Sequence, residues 1–286
     1  MDDKEKKQLS EADIKAKFIT PAIIKAGWSE MTQIRREVTL TPGPVIVRGN
    51  LSSRNKKKKK FADYVLQKEK GVPIAVVEAK ENNYSVSHGM QQALGYAEIL
   101  EVPSAYSSNG DAFASHNKAA KPGEDIETEF PLDAFPSPDE LWQRYKAFRG
   151  IEEEEEDLVI EPYYDDGSGK EPRYYQAEAI NRVVEKVAKG DKRLLLVMAT
   201  GTGKTRTIIG LMYRFLKAER FHRILFLVDR TALGQQAIDA FNEAPLEQNH
   251  PLSKIYNVAE LGDMAAEAET RIQVATVQAM VKRIFM

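Results

Sequence analysis

"LLLVMATGTGKTRT", residues 194–207, runs from consecutive apolar residues through glycines 201 and 203 to Lys204 and Thr205. The order reads as a buried strand turning through a loop into a helix. Glycines 201 and 203 have no side chains, so backbone N–H groups of Thr200, Gly201, Thr202 and Gly203 can turn inward around phosphate oxygens. Lys204 then places an ammonium beside the terminal phosphates of a nucleotide. The Thr205 hydroxyl suits Mg²⁺ at the first turn of a helix whose positive end also favours the anion. The full phosphate-loop pattern starts with a glycine where this chain has Met198. The strand–loop–helix setting, on which the physics depends, is intact.

Working outward, residues 173–286 alternate between helical and apolar segments. "YQAEAINRVVEKVAKG", "KTRTIIGLMYRFLKA" and "ALGQQAIDAF" have helical periodicity, while "RLLLVM", "RILFLV" and "RIQVATV" read as buried strands. Alternating helices and apolar strands imply a parallel sheet covered on both faces. Upstream, residues 151–172 combine "EEEEED" with "YYDDGSGKEP", a composition that predicts an extended acidic linker. The chain of 286 residues is thus expected to hold a first domain over 1–150, the linker, and a nucleotide-binding domain over 173–286.

The first 150 residues read differently. Ile14, Phe18, Ile19, Ile23 and Ile24 have helical spacing that ends at Gly27, and Pro21 should kink or split that helix. Short strands are expected around Val38 and Val45–Val47, on either side of "TPGP". "FADYVL" and "VPIAVVEAK", joined by "QKEKG", form a hairpin in the simplest reading. A helix over about 86–100 carries Met90, Leu94 and Ala97 on one face. "PSAYSSNGDAF" then reads as strand, turn, strand, and "SPDELWQRYKAFRG" as a helix with Leu141, Tyr145 and Phe148 on one face and Gly150 as its stop.

Asp63, Glu78 and Lys80 are the candidate chemistry of this half. Side chains alternate along a strand, so Glu78 and Lys80 share a face, and Asp63 on the neighbouring strand can reach the same edge. Two carboxylates, with the Ala79 carbonyl beside them, offer the hard oxygen ligands that Mg²⁺ prefers. Lys80 would then orient a metal-bound water and offset charge developing on a phosphate. On spacing alone, charges on the wet face of a hairpin are the simpler reading. Two features count against it: Glu78 and Lys80 close an apolar run, "IAVV", and Gln92 and Tyr96 follow four apart on one helical face. The lysine run Lys56–Lys60 reads as a solvated loop or as a phosphate-contacting strip.

Composition excludes several classes. There is no cysteine, so neither disulfides nor thiolate zinc sites are available, and the four histidines are too scattered for a metal site. Net charge is −2, so any case for nucleic acid must come from motifs. The first residues lack an apolar signal segment and no apolar run approaches membrane-span length; a cytoplasmic protein with no membrane partner is expected.

These motifs resemble known families. "MATGTGKT" resembles motif I of superfamily 2 helicases and translocases, "FLVDRTALGQQA" resembles motif Ia, and "VATVQAM", with Thr276 and Gln278, resembles motif Ib. In that superfamily motifs Ia and Ib touch the DNA backbone, and the glutamine matched by Gln176 of "RYYQ" reads adenine, so ATP is the implied nucleotide. No D-E-x-H or D-E-x-D follows the loop, so the chain is expected to be a fragment that does not hydrolyse ATP efficiently alone. "KKFADYVL", "VVEAK", "QALGYAE" and "SSNGDAF", followed by the motor motifs, resemble the R (restriction) subunit of type I restriction-modification enzymes along nearly the whole chain.

The resemblance implies an α/β fold: a nuclease domain of the PD-(D/E)xK kind followed by an incomplete RecA-like parallel-sheet domain. It assigns Asp63, Glu78 and Lys80 to the nuclease centre, with Asp63 and Glu78 on Mg²⁺, and Gln92 and Tyr96 as the supporting Q-x-x-x-Y pair. Glu11 matches a further acid on the first helix. The implied activity is Mg²⁺-dependent hydrolysis of DNA coupled, in the complete protein, to ATP-driven translocation of double-stranded DNA, with methylation and specificity subunits as partners. The alternatives are a superfamily 2 helicase–nuclease of DNA repair or of a type III system, and a non-catalytic DNA-binding fragment.

Overall fold

A computed structural model describes residues 2–41, 45–48, 51–54, 60–163, 172–259 and 269–285. The chain divides into two compact units, residues 1–152 and 153–286.

The first unit is built on a six-stranded sheet. It opens with α1 (Asp3–Lys6) and α2 (Glu11–Ile14), a π-helical turn (Lys15–Ile19) and α3 (Thr20–Lys25). Strands β1 (Ile34–Thr41), β2 (Val45–Arg48), β3 (Leu51–Arg54), β4 (Lys60–Gln67) and β5 (Pro73–Ala79) follow. Helix α4 (Met90–Ile99) leads to β6 (Ser104–Ser108), β7 (Ala112–Asn117), β8 (Glu127–Pro131) and α5 (Pro138–Arg149). The sheet order is β1-β4-β5-β6-β7-β8, while β2 and β3 pair apart from it. Only β5–β6 is parallel, as the intervening α4 allows; the other neighbours in this sheet are antiparallel.

The expected hairpin is therefore present, with Tyr64 opposite Val77 and Leu66 opposite Ala75. Every residue of β5 is buried, as its position inside the sheet requires. Pro21 does not split the first helix, which stays helical from Glu11 to Lys25 but passes through a π-helical turn just before the proline. Proline has no N–H to donate and its ring crowds the carbonyl four residues back. The chain widens by one residue, and Thr20 N–H donates to the Lys15 carbonyl. In α5 the capping box of Ser137 and Glu140 starts the helix and left-handed Gly150 ends it. Leu141, Trp142 and Tyr145 make its buried face, and Phe148, grouped with them by spacing, is 39% exposed. The "TPGP" turn at 42–44 and Lys56–Lys59 lie outside the described residues; Lys60 is exposed at the start of β4.

The second unit contains α6 (Glu153–Ile160), α7 (Tyr174–Ala188), α8 (Lys204–Lys217), β9 (Ile224–Val228), α9 (Thr231–Glu243), β10 (Pro245–Glu247), β11 (His250–Pro251), α10 (Leu252–Ile255), β12 (Val258–Ala259), β13 (Ile272–Thr276) and α11 (Val277–Phe285). Strands β12-β13-β9 form a wholly parallel sheet, and β10 pairs with β11. Ile180 and Val184 of α7, Ile209 and Met212 of α8, Phe241 of α9 and Val274 of β13 meet in its core. Both units are α/β, the first with a mixed sheet and the second with a parallel one, in the expected order.

Two expectations are corrected here. Residues 153–160 of the acidic stretch are helical, not extended: the glutamates fill the first turn, where the helix dipole favours negative charge, and Leu158 and Val159 are buried. Residues 164–171 of that stretch lie outside the described residues. Secondly, "RLLLVM" is not a strand, and Leu195 and Val197 are 89% and 82% exposed. A strand is held by ladder partners, and no described strand pairs with this segment. Leu225 and Leu227 of β9 are also exposed, so that strand is not covered on both faces.

Candidate active site

The β4–β5 ladder opens just where the candidate acids stand. Tyr64 and Val77 are its last paired residues, and Asp63 and Glu78 come next on the two strands. The Asp63 carboxylate takes over: its Oδ2 accepts the Ala79 N–H at 2.8 Å. Glu78 is 2% exposed, and its Oε1 accepts from Lys80 Nζ at 2.7 Å. Its Oε2 is buried and has no hydrogen-bond partner among the described residues. Burial pushes the Glu78 carboxyl up to about 7, the nearby Asp63 charge adds to this, and the Lys80 hydrogen bond and charge oppose it.

Helix α4 closes the site from the carboxyl end of β5. Ser107 on β6, opposite Glu78, accepts the Gly89 N–H at 3.0 Å and donates to the Val86 carbonyl at 2.7 Å. A Cβ at Gly89 would lie 2.9 Å from Glu78 Cγ, so only glycine allows this approach. One turn on, Gln92 Nε2 donates to Tyr96 Oη at 2.7 Å. Burial raises the Tyr96 phenol, the Gln92 bond opposes that rise, and the negative charges of Glu78 and Asp63 support it. The sequence-predicted set of Asp63, Glu78, Lys80, Gln92 and Tyr96 therefore occupies one locality.

A residue that sequence reasoning missed stands in the same place. Lys15 Nζ lies 2.9 Å from Asp63 Oδ1, 3.5 Å from Glu11 Oε1 and 3.7 Å from Glu37 Oε1. Burial alone would lower its ammonium, but the hydrogen bond and charge of Asp63, then Glu11, hold it above the ordinary lysine value. Pro21 was the available signal, since it marks the irregular turn that carries Lys15. Gly89 and Ser107 carried no motif.

Two carboxylates with one buried unpaired oxygen suit Mg²⁺, which binds through one or two carboxylates and keeps several waters. No group of three or more His, Cys, Asp or Glu side chains is arranged for a metal among the described residues, and such a mode needs none. The arrangement can hold a divalent cation with Lys80 alongside.

In the second unit, Gly201 and Gly203 adopt positive φ of 79° and 84°, and α8 starts at Lys204. Gly201, Gly203, Lys204 and Thr205 are exposed and line an open cleft of about 600 Å³. Thr200 is exposed, and Thr202 Oγ1 donates to the Ala199 carbonyl at 2.6 Å. Lys204 Nζ stands 3.4 Å from both the Met198 and Ala199 carbonyls, and is thus poised over the loop. Gln176 reaches the same loop: its Nε2 donates to the Thr202 carbonyl at 3.1 Å, and its Oε1 accepts the Arg173 N–H at 3.0 Å. Gly203 needs its positive φ, and a Cβ there would push the Gln176 amide, 2.5 Å away, off the loop. These donors at a helix N-terminus fit a nucleotide phosphate. Thr276 Oγ1 accepts the Ala279 N–H at 3.2 Å and caps α11, on which Gln278 is exposed.

Known proteins match this chain along both units. The family described as the res subunit of type III restriction enzymes matches residues 169–284, within the second unit. The endonuclease subunit of the type I restriction enzyme EcoAI from Escherichia coli is 48% identical over 228 residues, covering 80% of this chain and 28% of that protein. The corresponding EcoKI subunit from E. coli K12 is 32% identical, covering 97% of this chain and 27% of that protein. A solved fragment assigned as an HsdR subunit of a type I enzyme from Vibrio vulnificus YJ016 is 33% identical with a TM-score of 0.73, over 96% of this chain and 49% of that one. The chain thus spans about a quarter of the length of these curated relatives. No helix among the described residues is long and apolar enough to cross a membrane. In sequence and in fold, along nearly its whole length, the chain resembles the endonuclease (R) subunits of type I restriction enzymes.

Proposed function

We propose that this chain is the nuclease and first motor portion of a type I restriction R subunit. The observation that carries the reading is that Asp63 and Glu78 stand together where the β4–β5 ladder opens, with Lys80 on one Glu78 oxygen and the other without a partner among the described residues. Asp63 and Glu78 hold Mg²⁺. When bound, the ion supplies Lewis acidity toward a DNA phosphate and an activated water. Lys80 keeps an ammonium beside the point where negative charge grows on the phosphate. Gln92 and Tyr96 stiffen the wall next to Glu78 and face the DNA.

In the second unit, Thr200–Gly203 offer backbone N–H groups to the ATP phosphates, Lys204 neutralises them and Thr205 presents its hydroxyl to the accompanying Mg²⁺. Gln176 links the loop to the adenine. In the complete subunit this site drives translocation of double-stranded DNA, Thr276 and Gln278 contact the DNA backbone, and the methylation and specificity subunits supply sequence recognition. The family named for type III enzymes matches the second unit only, whereas the type I relatives match 80% and 97% of the chain, which favours type I.

The test uses the R subunit containing this sequence, assembled with its partner subunits. Glu78→Ala is expected to abolish double-strand cleavage with ATP turnover retained. Cleavage at the wild-type rate would exclude this site.

A further inference from the structure

We propose that Lys15 is a built-in counter-ion of the nuclease-type site: its ammonium holds the face of Asp63 that a divalent cation takes, and metal binding displaces it into the adjoining cavity toward a DNA phosphate. The inference rests on the reading of Asp63 and Glu78 as metal ligands.

Each of the two central carboxylates has an ammonium within hydrogen-bond distance, and Lys15 also has Glu11 at 3.5 Å and Glu37 at 3.7 Å to fall back on. Glu78 is neutralised by Lys80 at 2.7 Å, from its own strand, and Asp63 by Lys15 at 2.9 Å, from the first helix 48 residues earlier. Two facing carboxylates at a poorly hydrated edge need cations beside them, or one must hold a proton. A divalent ion on the same carboxylates brings two positive charges of its own, so Asp63 no longer needs the Lys15 ammonium, which keeps Glu11 and Glu37 as partners.

The backbone of Lys15 is fixed while its side chain has room. Its carbonyl accepts the Thr20 N–H across the π-helical turn and the Tyr64 hydroxyl at 3.4 Å, and Tyr64 Oη is itself 2.9 Å from Thr20 Oγ1. Tyr64 adjoins Asp63 on β4, so the turn and the acid are registered to each other. Beside them opens a cavity of about 310 Å³, lined by Lys15, Thr20, Arg36, Glu37 and Asp63. An ammonium on a four-carbon stem can leave Asp63 for this space by rotamer change alone; Arg36, which also lines it, is already paired with Glu30.

The experiment titrates Mn²⁺ into the full chain by calorimetry, comparing wild type, Lys15→Met, Lys15→Arg and Asp63→Asn, with thermal melting to confirm that each is folded. Lys15→Met is expected to bind Mn²⁺ about tenfold more tightly, because no charged hydrogen bond has to break first. Lys15→Arg should bind no more tightly than wild type, and Asp63→Asn should lose binding. In Ca²⁺, Lys15→Met should also lower the salt dependence of double-stranded DNA binding by about one counter-ion. If Lys15→Met binds Mn²⁺ equally or more weakly while Asp63→Asn abolishes binding, the counter-ion role is wrong and the metal reading survives. An unchanged salt slope would remove the phosphate contact. If Asp63→Asn binds like wild type, the metal reading itself fails and this inference with it.

Discussion

Glu78 is a carboxylate inside a strand whose every residue is buried, with one oxygen on Lys80 and the other without a partner among the described residues. Its pKa, raised to about 7 chiefly by burial, makes it a stability liability without metal. The folded chain holds this proton more tightly than the unfolded chain does. The penalty is therefore absent below about pH 4.5, grows as pH rises toward 7 and is complete above it. In EDTA, Glu78→Gln should stabilise the chain at pH 8 by on the order of 2–3 kcal/mol, a gain that shrinks toward pH 5. Urea denaturation across that range checks it, and a pH-independent difference would count against a buried charge. Two glycines of one helical region make a second pair of predictions. Gly89→Ala presses a methyl against Glu78 Cγ and should weaken Mn²⁺ binding roughly tenfold, at a stability cost of about 1–3 kcal/mol. Gly95→Ala meets nothing within 4 Å and should stabilise α4 by about 0.5–1 kcal/mol without affecting metal. Asp63, Glu78 and Lys80 were legible because strand alternation fixes which side chains share an edge. Lys15 and Gly89 were not: each acts through a contact across 48 or 11 residues of chain that no local periodicity encodes.

At the scale of elements, the acidic stretch shows how composition and context compete. A run of glutamates reads as a solvated linker, yet here it forms the first turn of α6, whose Leu158 and Val159 are buried together with the nearby Tyr163. The signal was the short apolar "DLVI" that follows the acids. A buried arginine fixes this helix: Arg214 of α8 is fully enclosed, donating to Asn181 Oδ1 on α7 at 2.7 Å and to the Val159 carbonyl at 2.9 Å, with Tyr163 beneath its guanidinium. Arg214→Ala would strand those acceptors and leave a void, so the second unit should lose about 2–4 kcal/mol, seen as a lower denaturation midpoint. Loss of less than about 0.5 kcal/mol would show that α6 is not held this way. The phosphate-loop segment teaches the converse. Its loop glycines and helix α8 followed from local chemistry, but "RLLLVM" needs strand neighbours that local sequence cannot supply, and no described strand pairs with it.

For the whole molecule, a net charge of −2 pointed to no partner, and the functional reading comes instead from two sites in two units and from relatives that match nearly the entire chain. In the assembled subunit, Lys204→Ala should remove ATP turnover and translocation together, because the loop's carbonyl-lined face then lacks its cation. Normal translocation by that variant would defeat the phosphate-loop assignment. The central claim, that Asp63 and Glu78 form the DNA-cutting site, is tested most directly by following DNA cleavage and ATP turnover in the same reactions, for the assembled wild-type and Asp63→Ala subunits. Cleavage should fall by at least about 10²–10³-fold while ATP turnover persists; cleavage that survives the substitution would contradict the account.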